Sequence, residues 1–320
     1  MKHTNEILVG VDDVCDVADR IKRFRLVPLD RPRLPSFSGG AHITVNMDGA
    51  DRRIRNQYSL MSPPERTAAY EISVLRVDES RGGSEFMHTQ VSPGDTLWIG
   101  QPNNQFPPHD LARRHLLIAG GIGITPFMAM ISQLSRGGQA FELHYAMRSD
   151  AAGAYAKLLQ ETYEDRASIY RTSLGERIPV NDLLANQPLG THLYVCGPER
   201  MTDDVLETAR LAGWPEDSLH WEKFLAPPAG DPFVVSLGRS KIQVRVGEHE
   251  SILEAVEAAG VEPPYLCRGG VCGQCETRVV SCDGDLAHND EYLSAEERES
   301  GRQLMICMSR FKGRELTLDL

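Results

Sequence analysis

The sequence has no long hydrophobic run. No stretch reaches the roughly 18 uninterrupted apolar residues of a membrane span. The nearest approach, Leu116 to Ile131, carries three glycines, a threonine and a proline. Nor is there an excess of positive charge: 34 Lys and Arg stand against 45 Asp and Glu, a net charge of −11. Nucleic acid and anionic membrane surfaces reward basic patches, so neither is expected as the main partner. Met1 to Gly10 holds one lysine and no apolar block. A secretory signal is therefore not expected, and a cytoplasmic location is. Internal repeats and low-complexity tracts are also lacking. Apolar residues at 41% and charged residues at 25% exclude a disordered tail or a fibre. The 320 residues suit two or three domains.

What is present is organised in three blocks. In the first hundred residues, Ala41 to Met47 and Tyr70 to Val74 alternate, and Thr96 to Ile99 adds a short β-prone run. Turn residues at Ser38-Gly39-Gly40, Arg81-Gly82-Gly83 and Pro93-Gly94 separate them, which predicts a small antiparallel barrel. Gln101 to Asp110, with three prolines and two asparagines, is a first candidate linker. Beyond it, strand-like runs (His115 to Ala119, Phe141 to Met147, His192 to Val195) alternate with helix-like ones (Pro126 to Leu134, Ala151 to Tyr163, Glu199 to Leu211). That order predicts parallel βαβ units, whose ligands bind outside the carboxyl ends of the strands. A second linker, Ala226 to Pro232, precedes a compact last block. There Lys241 to Val246 alternates, Ser251-Ile252-Leu253-Glu254 is a capping box for a helix ended by Gly260, and Leu316, Leu318 and Leu320 form a final strand.

Seven cysteines are an odd number, and four crowd into one segment, which suggests metal ligation over a disulfide framework. Cys267, Cys272 and Cys275, with Cys307 far downstream, show the C-x4-C-x2-C…C spacing of plant-type 2Fe-2S ferredoxins. Gly269, Gly270 and Gly273 let the main chain approach the sulfurs. The competing readings are a zinc site, which prefers two C-x2-C units where only one is present, and unligated core thiols. Cys15 and Cys282 lack comparable partners and read as free thiols.

Two turns in the middle block carry further chemistry. Gly120-Gly121-Ile122-Gly123-Ile124-Thr125-Pro126 joins a strand to a helix and offers helix N-terminal amides to a pyrophosphate. Proline replaces the third glycine of the usual dinucleotide fingerprint, so a plain strand-to-helix turn is the alternative. Cys196-Gly197-Pro198, with Met201 following, holds the same place after a later strand; there the alternative is a small buried Cys196.

With Arg55-Asn56-Gln57-Tyr58-Ser59-Leu60, these features resemble the ferredoxin–NADP reductase superfamily. Within it, the sequence is similar to the phthalate dioxygenase reductase family, whose members are reductase components of Rieske oxygenases. The order of flavin, nicotinamide and C-terminal ferredoxin blocks is specific to that family. The resemblance implies a flavin-binding antiparallel β-barrel over 1–108, a nicotinamide-binding α/β domain with a parallel sheet over 109–226, and an α+β, β-grasp ferredoxin domain over 233–320. It implies that Arg55, Gln57, Tyr58 and Ser59 hold the flavin, with Ser73 and Val74 lining it. Arg81, Gly82, Gly83 and Ser84 match a turn that ends the ligand at one phosphate, so FMN is implied rather than FAD; freed amides, a hydroxyl and a positive charge suit that task. Gly120, Gly121, Gly123, Thr125, Pro126, Cys196, Gly197, Pro198 and Met201 are implied for the dinucleotide, and Phe224 for a place near the flavin. Arg148 and Asp150 follow a strand where ribose selectivity is set. The arginine suits a 2′-phosphate and the acid a free hydroxyl; NADH is chosen. Cys267, Cys272, Cys275 and Cys307 are the iron ligands.

Such a cofactor set implies hydride delivery from NADH to flavin N5 and single-electron exit through the iron centre to a partner oxygenase. Ser59 and Thr125 are the groups nominated near N5, with no general base required. Cluster potential is expected on the order of −400 mV. A stand-alone flavin or ferric reductase is the alternative, and a redox sensor a third reading. Transient docking argues for a monomer. From Asp231 onward, 16 acidic residues face 10 basic ones. Glu291, Glu296, Glu297 and Glu299 either steer a basic partner or form an ordinary solvated face.

Overall fold

The computed structural model describes residues 6–49, 53–78 and 81–320. Met1 to Asn5, at the start of the segment judged not to be a secretory signal, lie outside them. The chain divides into two compact units, Met1–Lys223 and Phe224–Leu320. The division falls at the start of the second candidate linker. The first candidate linker, Gln101 to Asp110, lies within unit 1, where Phe106 is buried and Asn103 bridges to His42.

Unit 1 begins with β1 (Ile7–Ala18), β2 (Ile21–Pro28), β3 (His42–Asp48), β4 (Arg53–Ser59), β5 (Tyr70–Leu75), α1 (Gly83–Gln90) and β6 (Thr96–Ile99). The strands form one antiparallel sheet in the order β4-β3-β6-β1-β2-β5. Just past β4, the Met61 N–H donates to Glu71 O on β5 at 2.8 Å, so the outer strands meet and the sheet closes into a barrel. Alternation puts Ile7, Val9, Ile43, Val45, Ile72 and Val74 into a dry core. The Arg55–Leu60 motif, expected between two strands, lies almost wholly within β4. Helix α1, unannounced by periodicity, grows from the Arg81-Gly82 turn.

The rest of unit 1 comprises β7 (Arg114–Gly120), α2 (Thr125–Arg136), β8 (Phe141–Met147), α3 (Ala156–Thr162), β9 (Ala167–Arg171), α4 (Val180–Ala185), β10 (Thr191–Cys196), α5 (Glu199–Leu211) and β11 (Leu219–Glu222). Its sheet is wholly parallel, in the order β11-β10-β7-β8-β9. Leu117 and Ala119 pack on one face of β7 with Phe127 and Leu143; Leu116 and Ile118 pack on the other with Val205 and Leu206. The helix expected over Ala151 to Tyr163 forms only from Ala156, because Tyr155 adopts φ 64°, a left-handed conformation that interrupts a helix. Strand order reverses at β7, with β8 on one side and β10 on the other. The two glycine turns leave the carboxyl ends of those adjacent strands, β7 and β10, which is where open parallel sheets bind ligands.

Unit 2 holds β12 (Phe233–Leu237), β13 (Ile242–Val246), α6 (Ile252–Ala258), β14 (Glu276–Cys282), β15 (Asp285–Ala287), α7 (Ala295–Ser300), β16 (Gln303–Met305), β17 (Arg310–Lys312) and β18 (Glu315–Leu318). A mixed sheet, β13-β12-β18-β14-β16, packs against α6, whose expected capping box is formed by Ser251 and Glu254. Arg310 is buried and donates to the carbonyls of Gly230, Asp231, Gly247 and Glu250 at 2.8–3.2 Å.

Candidate functional site

The four predicted iron ligands converge in unit 2 on the loop between α6 and β14. Cys267, Cys275 and Cys307 are buried and Cys272 is partly exposed. They come together as two pairs. Cys272 and the N–H groups of Gly269 and Val271 hold the Cys267 thiol below its ordinary pKa against the opposing effect of burial. Cys307 does the same for Cys275. Backbone N–H groups point at sulfur: Cys267 N lies 3.4 Å from Cys272 Sγ, and Gly269 N lies 3.4 Å from Cys267 Sγ. Among the described residues, no three His, Cys, Asp or Glu side chains close around a single metal ion. Two separate thiol pairs with amides aimed at sulfur fit a two-iron cluster and not one tetrahedral zinc. Cys282 is exposed at the end of β14, and Cys15 is half-buried in β1.

In unit 1, the turn after β7 is packed without slack. A Cβ on Gly123 would lie 2.2 Å from Cys196 O and 2.8 Å from Gly197 N, so only glycine lets the two turns touch. The Thr125 hydroxyl donates to Ile122 O at 2.9 Å and is buried, with Pro126 in the first turn of α2. Gly120 and Gly121 lead into this turn; Gly197 and Pro198 lead into α5, which carries Met201. The structure therefore brings the predicted dinucleotide residues to one place. Arg148 and Asp150 stand exposed past β8, with Asp150 paired to Arg171 at 2.7 Å.

In β4 the motif is sorted by strand alternation. Tyr58 shares a face with Asn56, whose amide donates to the Tyr58 hydroxyl at 3.2 Å, and it packs on the barrel core. Arg55, Gln57 and Ser59 take the other face, opposite Asn46, Thr44 and His42. Arg55 and Tyr58 are thus not neighbours; Arg55 donates instead to Asn46 Oδ1 at 3.2 Å. Asn56, absent from the expected set, abuts the phosphate-type turn: a Cβ on Gly83 would lie 2.3 Å from its amide nitrogen. Arg81 and Gly82 lead into α1, and the buried Ser84 hydroxyl accepts from Val77 N at 3.2 Å. The Ser73 hydroxyl lies 2.6 Å from Tyr155 OH, and Val74 O lies 2.8 Å from His88 Nε2. Phe224, half-exposed, opens unit 2.

Where the barrel meets the parallel sheet, two further residues face each other. His42 on β3 and Glu222 at the end of β11 approach to 3.9 Å, with side chains 8% and 15% exposed. His42 Nε2, Glu222 Oε2 and Ser59 Oγ are all buried without a partner. Burial pushes the Glu222 carboxyl up to about 8 and pulls the His42 imidazole down to about 4. Orphaned buried polar atoms are rare unless a ligand completes them. Such orphaned atoms fit the polar edge of a flavin ring, and the Gly83 turn at the start of α1 fits its phosphate. Neither His42 nor Glu222 stood out in the sequence, one lying in an alternating strand and the other in a short one.

Residues 101–219 match the N-terminal domain of dimethylamine monooxygenase subunit DmmA-like proteins. Residues 235–312 match the 2Fe-2S iron-sulfur cluster binding domain. The solved structure of phthalate dioxygenase reductase, described as modular for electron transfer from pyridine nucleotides to [2Fe-2S], is 31% identical with a TM-score of 0.88, covering 98% of each chain. The chain belongs to the phthalate dioxygenase reductase family. Two relatives are more similar in sequence. The heme-dependent oxidative N-demethylase beta subunit of Ectopseudomonas mendocina is 46% identical over 90% of each chain. The carnitine monooxygenase reductase subunit of Escherichia coli is 42% identical over 98% of each. As a member of the phthalate dioxygenase reductase family, the chain is an electron-transfer reductase component of an oxygenase system, with a barrel, a parallel-sheet nucleotide part and a ferredoxin domain.

Proposed function

We propose that this protein takes hydride from NADH onto FMN, passes single electrons to a 2Fe-2S cluster, and delivers them to a separate terminal oxygenase of the Rieske type. The division of labour is 1–108 for FMN, 109–226 for NADH and 233–320 for the cluster. The flavin exchanges electrons in pairs or singly, which neither neighbour does. The chain's own residues position the reactants: Tyr58, Ser59 and the Arg81–Ser84 turn hold the flavin, and the turns at Gly120–Pro126 and Cys196–Pro198 hold the nucleotide. Thr125 and Ser59 lie where the two rings are to meet. The four cysteines hold the cluster, and amides around Cys267 tune it.

The observation that carries this reading is the set of two thiol pairs in a chain that also has two glycine turns at a topological switch point. The acidic C-terminal block suits a basic docking face on the oxygenase, engaged transiently by a monomer in the cytoplasm. Of Glu291, Glu296, Glu297 and Glu299, Glu297 is committed to capping α7 with Ser294. A second reading, delivery to a heme centre, is favoured by the N-demethylase relative. Purified protein is expected to be reddish-brown, to contain FMN, and to reduce cytochrome c with NADH. Cys272→Ser is expected to lose cytochrome c reduction while keeping flavin reduction. A colourless protein with zinc in place of iron and sulfide refutes the reading. Pairing with Rieske and heme oxygenases in turn distinguishes the acceptors.

A further inference from the structure

Residues 148–155 join β8 to α3 and include Arg148 and Asp150, the pair at the ribose-selecting position. Two ties hold this segment to the barrel. The Asp19 N–H, in the turn between β1 and β2, donates to Ala151 O at 2.7 Å. The Tyr155 hydroxyl lies 2.6 Å from Ser73 Oγ on β5. Ser73 is available because β5 alternates: Ile72 and Val74 fill the barrel core, which leaves Ser73 on the outer face. It is nonetheless only 5% exposed, so its bond to Tyr155 is sheltered from water.

Tyr155 reaches Ser73 from a strained conformation. Among the described residues, Arg20, Tyr155, Lys241 and Arg268 are the non-glycines with positive φ, and Tyr155 alone of these is aromatic. At φ 64° and ψ 0° it stands immediately before α3. A bulky residue persists there only where its surroundings over-determine it. An ordinary helical φ would extend α3 and swing the ring off the barrel. The neighbouring polar groups do not compete for Ser73. Arg23, opposite it in the ladder, is paired with Asp13 at 2.8 Å. Tyr145 on β8 is fully buried, and its hydroxyl has no partner.

We propose that Tyr155 is a positioning residue that straps the dinucleotide loop 148–154 to the flavin wall at Ser73, so that flavin and the ribose end of the dinucleotide each strengthen the binding of the other. This rests on the FMN and NADH reading above. A flavin lying on β5 fixes Ser73. Ser73 then holds Tyr155 in its left-handed turn, and the loop with it. A nucleotide arriving next finds its loop already set and binds at a lower ordering cost. The reverse follows by linkage, because a coupling between two binding equilibria is the same in both directions.

The test uses ADP-ribose, which has the adenine, riboses and pyrophosphate of the dinucleotide but no nicotinamide to touch the flavin. Its affinity is measured by calorimetry on the full chain with its cluster, with and without FMN. FMN affinity is measured by fluorescence on dilution, with and without ADP-ribose. One hydrogen bond of ordinary strength sets the expected coupling at about five-fold in each direction. Tyr155→Phe keeps the ring and loses the coupling both ways, and Ser73→Ala does the same. Tyr145→Phe retains it, since that hydroxyl bonds nothing. A merely structural role for Tyr155 would weaken binding alike with and without FMN and leave the ratio standing. A ratio of one in the wild type, or a five-fold ratio that survives in Tyr155→Phe, overturns the strap while both ligands still bind. Failure of ADP-ribose to bind either form sinks the nucleotide reading with it.

Discussion

Replacing Gly123 by alanine tests whether the two glycine turns work as one device. The new methyl would sit 2.2 Å from Cys196 O, and contacts become ordinary only from 3.4 Å. The turns must then part by about 1.2 Å, and because the obstacle is backbone, no side chain can swing away. Overpacking of this kind costs about 1–3 kcal/mol of stability. Its larger effect is on alignment, since a 1 Å misplacement of reacting groups costs on the order of 100-fold in rate. Stopped-flow mixing with NADH under anaerobic conditions is expected to show flavin bleaching slowed about 100-fold in Gly123→Ala. Cluster reduction by dithionite should be untouched, because the cysteine loop lies in the other compact unit. Gly138→Ala is the comparator. It occupies a left-handed turn (φ 65°) with nothing within 4 Å of the added methyl, so it costs about 1–2 kcal/mol of stability and leaves bleaching unchanged. Wild-type bleaching in Gly123→Ala refutes the coupling of the turns.

Three further outcomes are expected. Gly83→Ala displaces the Asn56 amide from Tyr58 OH, a bond worth about 1 kcal/mol; FMN affinity measured by fluorescence should fall roughly five-fold. Arg310→Met strips four carbonyls of a buried charged donor and should cost about 3–5 kcal/mol, read as a lower melting temperature by loss of cluster absorbance. The pH dependence of unit 1 stability without flavin follows from Glu222 and His42. With its pKa raised from 4.5 to about 8, native Glu222 holds a proton that the unfolded chain releases, so stability falls between those limits as pH rises. His42, lowered from 6.5 to about 4, acts oppositely over its own range and offsets that slope below pH 6.5. A net loss of about 1 kcal/mol is therefore expected from pH 6.5 to 8. Denaturant unfolding should show it in wild type and not in Glu222→Gln.

Much of this architecture is legible without coordinates where local chemistry and tertiary role agree. The capping box at Ser251, the parallel-sheet runs His115–Ala119 and Phe141–Met147, and the cysteine spacing all reappear in place. What escapes is non-local. The hairpin of β1 and β2 carries Asp12, Asp13, Asp16, Lys22 and Arg23 and slips register at Val11/Asp13 and Asp16/Ala18, which blurs its period. Asn56, which donates to the Tyr58 hydroxyl, does not stand out because spacing along the chain hides alternation in a strand. His42 and Glu222, 180 positions apart, acquire meaning only when the sheet order brings them together.

The break at Lys223/Phe224 leaves each side with its own sheet and its own apolar interior. Among the described residues neither lends a strand to the other, so the portion from Phe224 onward is a cassette that recombination can exchange intact. A lineage can thereby acquire a new electron recipient by inheriting a different tail, while the nucleotide machinery upstream stays as it was.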